Sequence, residues 1–274
     1  MSEKSEVIRH PLYGVAVPGL NWVPAPTYVL RRRRILSLFS SFEPGRLLEI
    51  GSGAGAMLAD LPRLGHHCDA LETSPDARKL ADQINSGDGN VAVHDKAQDG
   101  WAGAFDTILA MEVLEHIEED SAALESWSSW LRRDGRLVLS VPAHPRLWNA
   151  SDVWAGHFRR YTRNGLRQVV ESAGFQVEHM ECYGFPLSNI IEPVRARVHA
   201  RRLDEEKVAD ALAEEDGHAH GSARSGTERS IETRLYPMQA SWAGSLVMRL
   251  FFALQYVFLR TDRGTGYILV ARRV

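Results

Sequence analysis

Leu47-Leu48-Glu49-Ile50-Gly51-Ser52-Gly53-Ala54-Gly55-Ala56-Met57 is an apolar run that breaks off into three alternating glycines. A helical pattern follows in Met57-Leu58-Ala59-Asp60-Leu61. Together these read as a buried parallel strand, a tight turn and a helix N-terminus. Glycine lets the backbone enter φ > 0 and lets a ligand lie against the main chain. The turn is compatible with Gly-x-Gly-x-x-Ala, a dinucleotide fingerprint that is weak without its neighbours. The flanking chain therefore decides what the turn holds.

Outward from the turn, strands and helices alternate. Strands are expected over 46–50, 67–72, 90–94, 105–111 and 136–141. Helices are expected over 57–64, 74–84 and 119–131, with Ser74 as an N-cap and Pro75 at the first helical position. Such alternation predicts a parallel sheet covered on both faces. A loop over 142–161 then leads to a helix over 162–173, stopped by Gly174, and a strand over 175–183. The last strand lies over 267–271.

Two flanks frame this core. The arm ahead of it carries Pro11, Tyr13, Pro18, Trp22, Pro24, Pro26 and Tyr28, too many prolines for an early long helix. A helix over 28–42 follows, and Arg31 to Arg34 on it read as a solvated face, or else as a contact for an anionic group. Placed before the first core strand, the arm could close over a ligand as a lid. On the other side, the residues between 183 and 267 far exceed a hairpin, and connections of that length are usually functional or disordered. This insert opens helical and cationic, with Arg195, Arg197, Arg201 and Arg202. A polar tract over 214–233 reads as a mobile loop, its His218 and His220 solvated rather than metal-binding. The insert closes in an apolar stretch over 242–259, where Val247, Leu250, Phe251, Leu254, Val257 and Phe258 share a helical stripe. The stretch is short for a membrane span and carries Arg249, so a cap helix packed by that stripe is expected. Resting on a membrane surface or lining a lipid-sized pocket is the alternative.

The chain of 274 residues is 44% hydrophobic and 24% charged, ordinary for a globular protein with a full core. A net charge of −3 argues against a general nucleic-acid binder. Cys68 and Cys182 are far apart without metal-ligand spacing, which fits a reduced, cytoplasmic protein. The first ten residues are charged and show no signal-peptide core. The expected organisation is an arm over 1–45, a core over 46–185, a helical cap over 186–263 and a final core strand over 264–274.

Beyond the glycine turn, Glu72 stands at the end of the second strand, where a carboxylate can accept from both hydroxyls of a ribose. Asp95 ends the third strand. The fourth is Phe105-Asp106-Thr107-Ile108-Leu109-Ala110-Met111-Glu112-Val113-Leu114-Glu115-His116. In this order and spacing the chain resembles the class I S-adenosylmethionine-dependent methyltransferases. The resemblance implies an α/β, Rossmann-like, seven-stranded sheet whose last strand is antiparallel, with S-adenosyl-L-methionine as cofactor. It implies that Gly51, Gly53 and Gly55 border the methionine moiety and that Glu49 lies near its amino group. Glu72 would take the ribose and Asp95 the adenine edge, with Met111 and Glu112 beside the sulfonium. A nicotinamide enzyme would share the turn and Glu72, but no hydride-transfer acid or base is visible for it.

Glu112-x-x-Glu115-His116 looks like the acidic motif of ubiquinone-pathway O-methyltransferases and of small-RNA 3′-terminal 2′-O-methyltransferases, where it can hold a divalent cation. Glu112, Glu115, His116 and His157 would be the ligands of such a metal. The preferred reading needs no metal, with His157 as general base and His116 and Glu115 as the other candidate catalytic residues. His144 is a weaker candidate of the same kind. Arg159, Arg160, Tyr161 and Trp22 are the expected substrate contacts. The expected activity is methyl transfer to oxygen or nitrogen of a small or lipid-like acceptor, with peripheral membrane contact as a further expectation. An RNA-terminal, metal-assisted O-methyltransferase and a non-catalytic adenosyl-ligand regulator are the alternatives.

Overall fold

A computed structural model describes residues 6–213 and 230–274. The arm forms a small hairpin, β1 (Ile8–His10) and β2 (Gly14–Ala16), then helix α1 (Pro26–Phe39). The core runs β3 (Arg46–Ile50), β4 (His67–Leu71), α2 (Pro75–Ile84), β5 (Val91–His94), β6 (Phe105–Met111), α3 (Asp120–Trp130) and β7 (Leu131–Pro142). Next come α4 (Ala150–Ala155), α5 (Arg163–Ser172) and β8 (Phe175–Tyr183). The insert supplies α6 (Leu187–Ala213), α7 (Ser230–Gln239) and α8 (Trp242–Phe258) before β9 (Gly266–Arg273).

The seven strands lie in the order β5-β4-β3-β6-β7-β9-β8. All pairings are parallel except those of β9, which runs antiparallel to both β7 and β8. This is the expected Rossmann-like sheet with its last strand reversed. Side chains alternate across it as a strand requires. On β6 and β7, Ile108, Leu137 and Leu139 pack against Leu124, Trp127, Leu166 and Val170 of α3 and α5. Leu109 and Val138 face the other way, onto Ile35 and Phe39 of α1.

Four expectations are corrected. No α-helix forms over 57–64: the chain takes successive turns with Asp60 N–H to Met57 and Arg63 N–H to Asp60 (2.9 and 3.1 Å), ending in a short 3-10 turn, Leu61–Leu64. Pro62 has no N–H to continue an α-helical ladder, which favours the tighter bonds. The 142–161 segment is not all loop, because Asn149 and Asp152 form a capping box that starts α4. The arginine run is a solvated face only at Arg33. Arg32 clamps Asp60 at 2.6 and 2.7 Å, and Arg34 clamps Glu181 at 2.8 and 2.9 Å.

The last correction concerns α8. Val247, Leu250 and Val257 of its supposed inner stripe are exposed, and Met248 and Gln255 are buried. The Gln255 amide sets this orientation by accepting from Gly184 N–H at 2.8 Å and donating to the Leu30 carbonyl at 3.3 Å. Of the 214–233 tract, 230–233 begin α7, and His218 and His220 lie outside the described residues.

Gly55 sits at φ +69°, and a Cβ there would lie 2.8 Å from the Ala81 Cβ on α2. Gly55→Ala combines backbone strain with that clash, so it should lower the unfolding free energy by about 1–3 kcal/mol. Urea denaturation of wild type and variant measures this.

Candidate functional site

A cavity of about 830 Å³ opens at the carboxyl ends of β3, β4, β6 and β7. In an open α/β sheet this is where crossovers leave for opposite faces and a crevice forms, here between β3 and β6. The arm, the core and the helical insert all contribute to its wall.

The wall at β3 starts with Glu49, 1% exposed. Burial, and after it the neighbouring Glu72 charge, push the Glu49 carboxyl well above its ordinary range. Its Oε2 has no hydrogen-bond partner. Gly53 follows at φ +52°, and a Cβ there would meet nothing within 4 Å, so the main chain faces open space. Glu72 ties this turn to α2: it accepts from Gly53 N–H at 2.7 Å and from Ser74 N–H at 2.8 Å. Ser74 in turn caps α2 by accepting from Ala77 N–H.

The end of β6 supplies Met111 and Glu112. Glu112 is not glycine yet has φ +55°, a backbone strain that clusters at functional sites. Its Oε1 accepts from the Ser140 and Tyr183 hydroxyls, each at 3.1 Å, and lies 3.2 Å from the Arg31 guanidinium. Burial disfavours the Arg31 charge, but Tyr183 and Glu112 outweigh it and hold the guanidinium protonated. Burial and Glu112 push the Tyr183 hydroxyl up.

Opposite lies a histidine pair. His157 Nδ1 is 2.9 Å from Asp152 Oδ1, which also accepts from Arg160 Nε at 2.7 Å. Burial would raise the Asp152 carboxyl, but the His157 and Arg160 bonds hold it below its ordinary value. An ionised carboxylate only accepts, so the proton shared with Asp152 sits on Nδ1 and Nε2 is left on the other side of the ring. Nε2 lies 3.9 Å from Glu115 Oε1. The His116 ring stands edge-on to His157 with centroids 4.7 Å apart, and burial followed by His157 pushes its pKa down to about 4. Glu115 is fully buried with both oxygens unpartnered, and burial, then Glu112, raise its carboxyl well above normal.

Glu49, Gly51, Gly53, Glu72, Met111, Glu112, His116, His157, Arg160 and Trp22 thus meet on one cavity. Other expected site residues lie elsewhere. Asp95 is exposed and away from the cavity. Gly55 packs on α2, and Glu115 lies behind His157. Arg159 and Tyr161 both reach Asp120, at 2.7 and 2.8 Å, and clamp their loop to α3. His144 contacts Tyr267 and Cys182 outside the cavity.

Among the described residues, Glu115, His116 and His157 are a group whose donor atoms lie within 4.8 Å of one another, a carboxylate and two imidazoles that could hold a divalent cation. Glu112 is not in that group; its carboxylate is taken by Arg31, Tyr183 and Ser140.

Sequence reading missed Tyr183, Asp152, and Trp154 with its stacked partner His199 (centroids 4.3 Å apart), all on the cavity wall, and did not single out Arg31 from its run. Asp152 had a visible signal, the Asn149-x-x-Asp152 cap; the others are brought in by tertiary packing.

A family model described as a methyltransferase domain matches residues 27–180. A ubiquinone biosynthesis O-methyltransferase of Xanthomonas axonopodis pv. citri is 30% identical over 124 residues, covering 42% of this chain and 52% of the relative. The chain therefore spans about half the length of that curated relative. An S-adenosylmethionine dependent methyltransferase from Mesorhizobium loti superposes with a TM-score of 0.53 at 14% identity, over 91% of this chain and 98% of that one. Phosphoethanolamine N-methyltransferase 2 of Haemonchus contortus, in complex with S-adenosyl-L-methionine, gives 0.51 at 15% identity over 89% and 52%. These two likenesses concern the fold.

Because the folded Glu49 carboxyl titrates above its unfolded value, its ionisation costs stability at neutral pH and the cost fades as pH falls through the folded pKa. Glu49→Gln should therefore stabilise the protein without ligand by about 1–2 kcal/mol at pH 7. The gain should shrink on acidification, as denaturation at pH 7 and pH 5 would show.

Proposed function

Since the chain belongs to the methyltransferase-domain family, we propose that it transfers a methyl group from S-adenosylmethionine to an oxygen or nitrogen of a small or lipid-like acceptor. What carries the proposal is a single cavity with an unpartnered buried carboxylate at one wall and an imidazole oriented by Asp152 at another. The first suits a cationic, hydroxyl-rich ligand; the second suits an acceptor that must lose a proton.

When bound, S-adenosylmethionine supplies a methyl group activated by its sulfonium. Glu49 would hold the amino group, giving a partner to its otherwise unpartnered buried Oε2. Glu72 keeps acceptor capacity for ribose hydroxyls beyond the two amides it already holds. The open main chain at Gly53 admits close contact, and Met111 and Glu112 border the reacting side.

The transfer is an in-line displacement, so the protein contributes chiefly alignment and exclusion of water. His157 Nε2 takes the proton that the acceptor loses, while Asp152 holds the ring in the tautomer that can do so. His116, kept neutral by burial, adds no competing charge beside it. Trp22, Trp154 and Arg160 shape the acceptor end, and Arg160 also steadies Asp152.

Calorimetric titration with S-adenosylhomocysteine should give micromolar binding to wild type, lost in Glu72→Ala, with NADH silent. His157→Ala should keep that binding and lose about 100-fold or more in methyl transfer to a phenol or amine acceptor. Preference for NADH would overturn the cofactor assignment. An unchanged rate in His157→Ala would remove the base, and ligand binding without transfer to any acceptor would favour a regulatory binder.

A further inference from the structure

The helix α8 is built inside out for a soluble protein. At about 100° per residue, Trp242, Ala253, Leu246, Val257, Leu250, Ala243 and Val247 succeed one another around its solvent side. Trp242 is 82% exposed, Val257 71% and Leu250 58%. The helix, Trp242–Phe258, has no acidic residue. Exposed Arg249 lies on one border of the apolar side, and Arg260 follows the helix on the same border. Asp262, the next acid along the chain, is paired with Arg163 at 2.8 Å. An aromatic stands at each end, Trp242 and the 69% exposed Tyr256, the residues that favour a membrane–water interface.

No described helix is long and apolar enough to cross a membrane. The apolar surface also reaches the cavity. Leu235 lines the cavity and is exposed, Met238 follows one turn later on α7, and Trp242 opens α8. An apolar side bordered by arginine and free of acids complements a bilayer surface with anionic head groups.

We propose that the solvent side of α8 docks this protein flat on an anionic membrane surface, bringing the exposed cavity-lining Leu235 and its neighbour Met238 against the lipid. A lipid-borne acceptor then enters the cavity without crossing water; this last step rests on the methyl-transfer reading, and the docking does not.

The test is flotation of the full chain with vesicles of phosphatidylcholine alone or with about a quarter phosphatidylglycerol. Wild type should float at least about tenfold more with the anionic vesicles. Leu246→Ser/Leu250→Ser/Val257→Ser should abolish flotation, and Arg249→Glu/Arg260→Glu should remove the anionic preference. The altered side chains are exposed, and S-adenosylhomocysteine calorimetry on each variant reports that the core is intact. Intact ligand binding with no flotation of wild type overturns the docking. So does a wild-type dimer that the triple serine variant converts to a monomer in light scattering, since a second copy would then cover α8. Flotation by a wild type that fails to bind S-adenosylhomocysteine supports the docking while the methyl-transfer reading falls.

Discussion

The site exists because β3 cannot continue past Ile50. Gly51, Gly53 and Gly55 all adopt left-handed backbone, at φ +65°, +52° and +69°, and swing the chain away from the sheet. The turn is held from both sides. Asn85, which follows α2, donates to the Gly55 carbonyl at 3.0 Å, and Glu72 receives the Gly53 amide. With β4 on one side of β3 and β6 on the other, this departure leaves the crevice in which the other site groups converge.

In that crevice and behind it the acids are treated in two ways. Glu72, Glu112 and Asp152 are each surrounded by donors: two amides; two hydroxyls and a guanidinium; an imidazole, a guanidinium and the Asn149 amide. Glu49 and Glu115 keep unpartnered oxygens in full burial. Buried polar groups in native proteins are nearly all satisfied, so the unpartnered Oε2 of Glu49 on the cavity wall marks a point where stability gives way to ligand recognition. The partners that do neutralise charge come from distant chain. Arg31 on α1 reaches Glu112 after β6, which couples the arm to the crevice.

Helix α8 shows why periodicity alone could not orient the insert. Apolar residues occupy nearly its whole circumference, so a stripe could be drawn on either side. Gln255 broke the tie, because a buried amide must find partners and finds them at Gly184 and Leu30. The arginine run presents the same ambiguity. Four consecutive cations look solvated in isolation, and the acids that packing delivers to α1, Glu112, Asp60 and Glu181, draw Arg31, Arg32 and Arg34 inward while Arg33 stays exposed.

The order of strands, the glycine turn, the reversed last strand and the placing of Glu49, Glu72, Glu112 and His157 near one another were legible in the sequence. The strands and the turn rest on local signals, namely apolar runs, turn residues and caps, that act within a few residues; the reversed last strand and the shared site were implied by the resemblance of the motifs to the methyltransferases. Tertiary structure alone decided which side of α8 faces out, which arginines are buried, and that Arg159 and Tyr161 serve α3 while Arg160 serves the cavity. Neighbouring residues on an extended loop point to opposite sides, and which side is the site depends on what packs there. The Asp152–His157 pair shows both at once: the cap that starts α4 is written in Asn149-x-x-Asp152, but its second task, holding an imidazole over the cavity, appears only when α4 is docked beside the sheet.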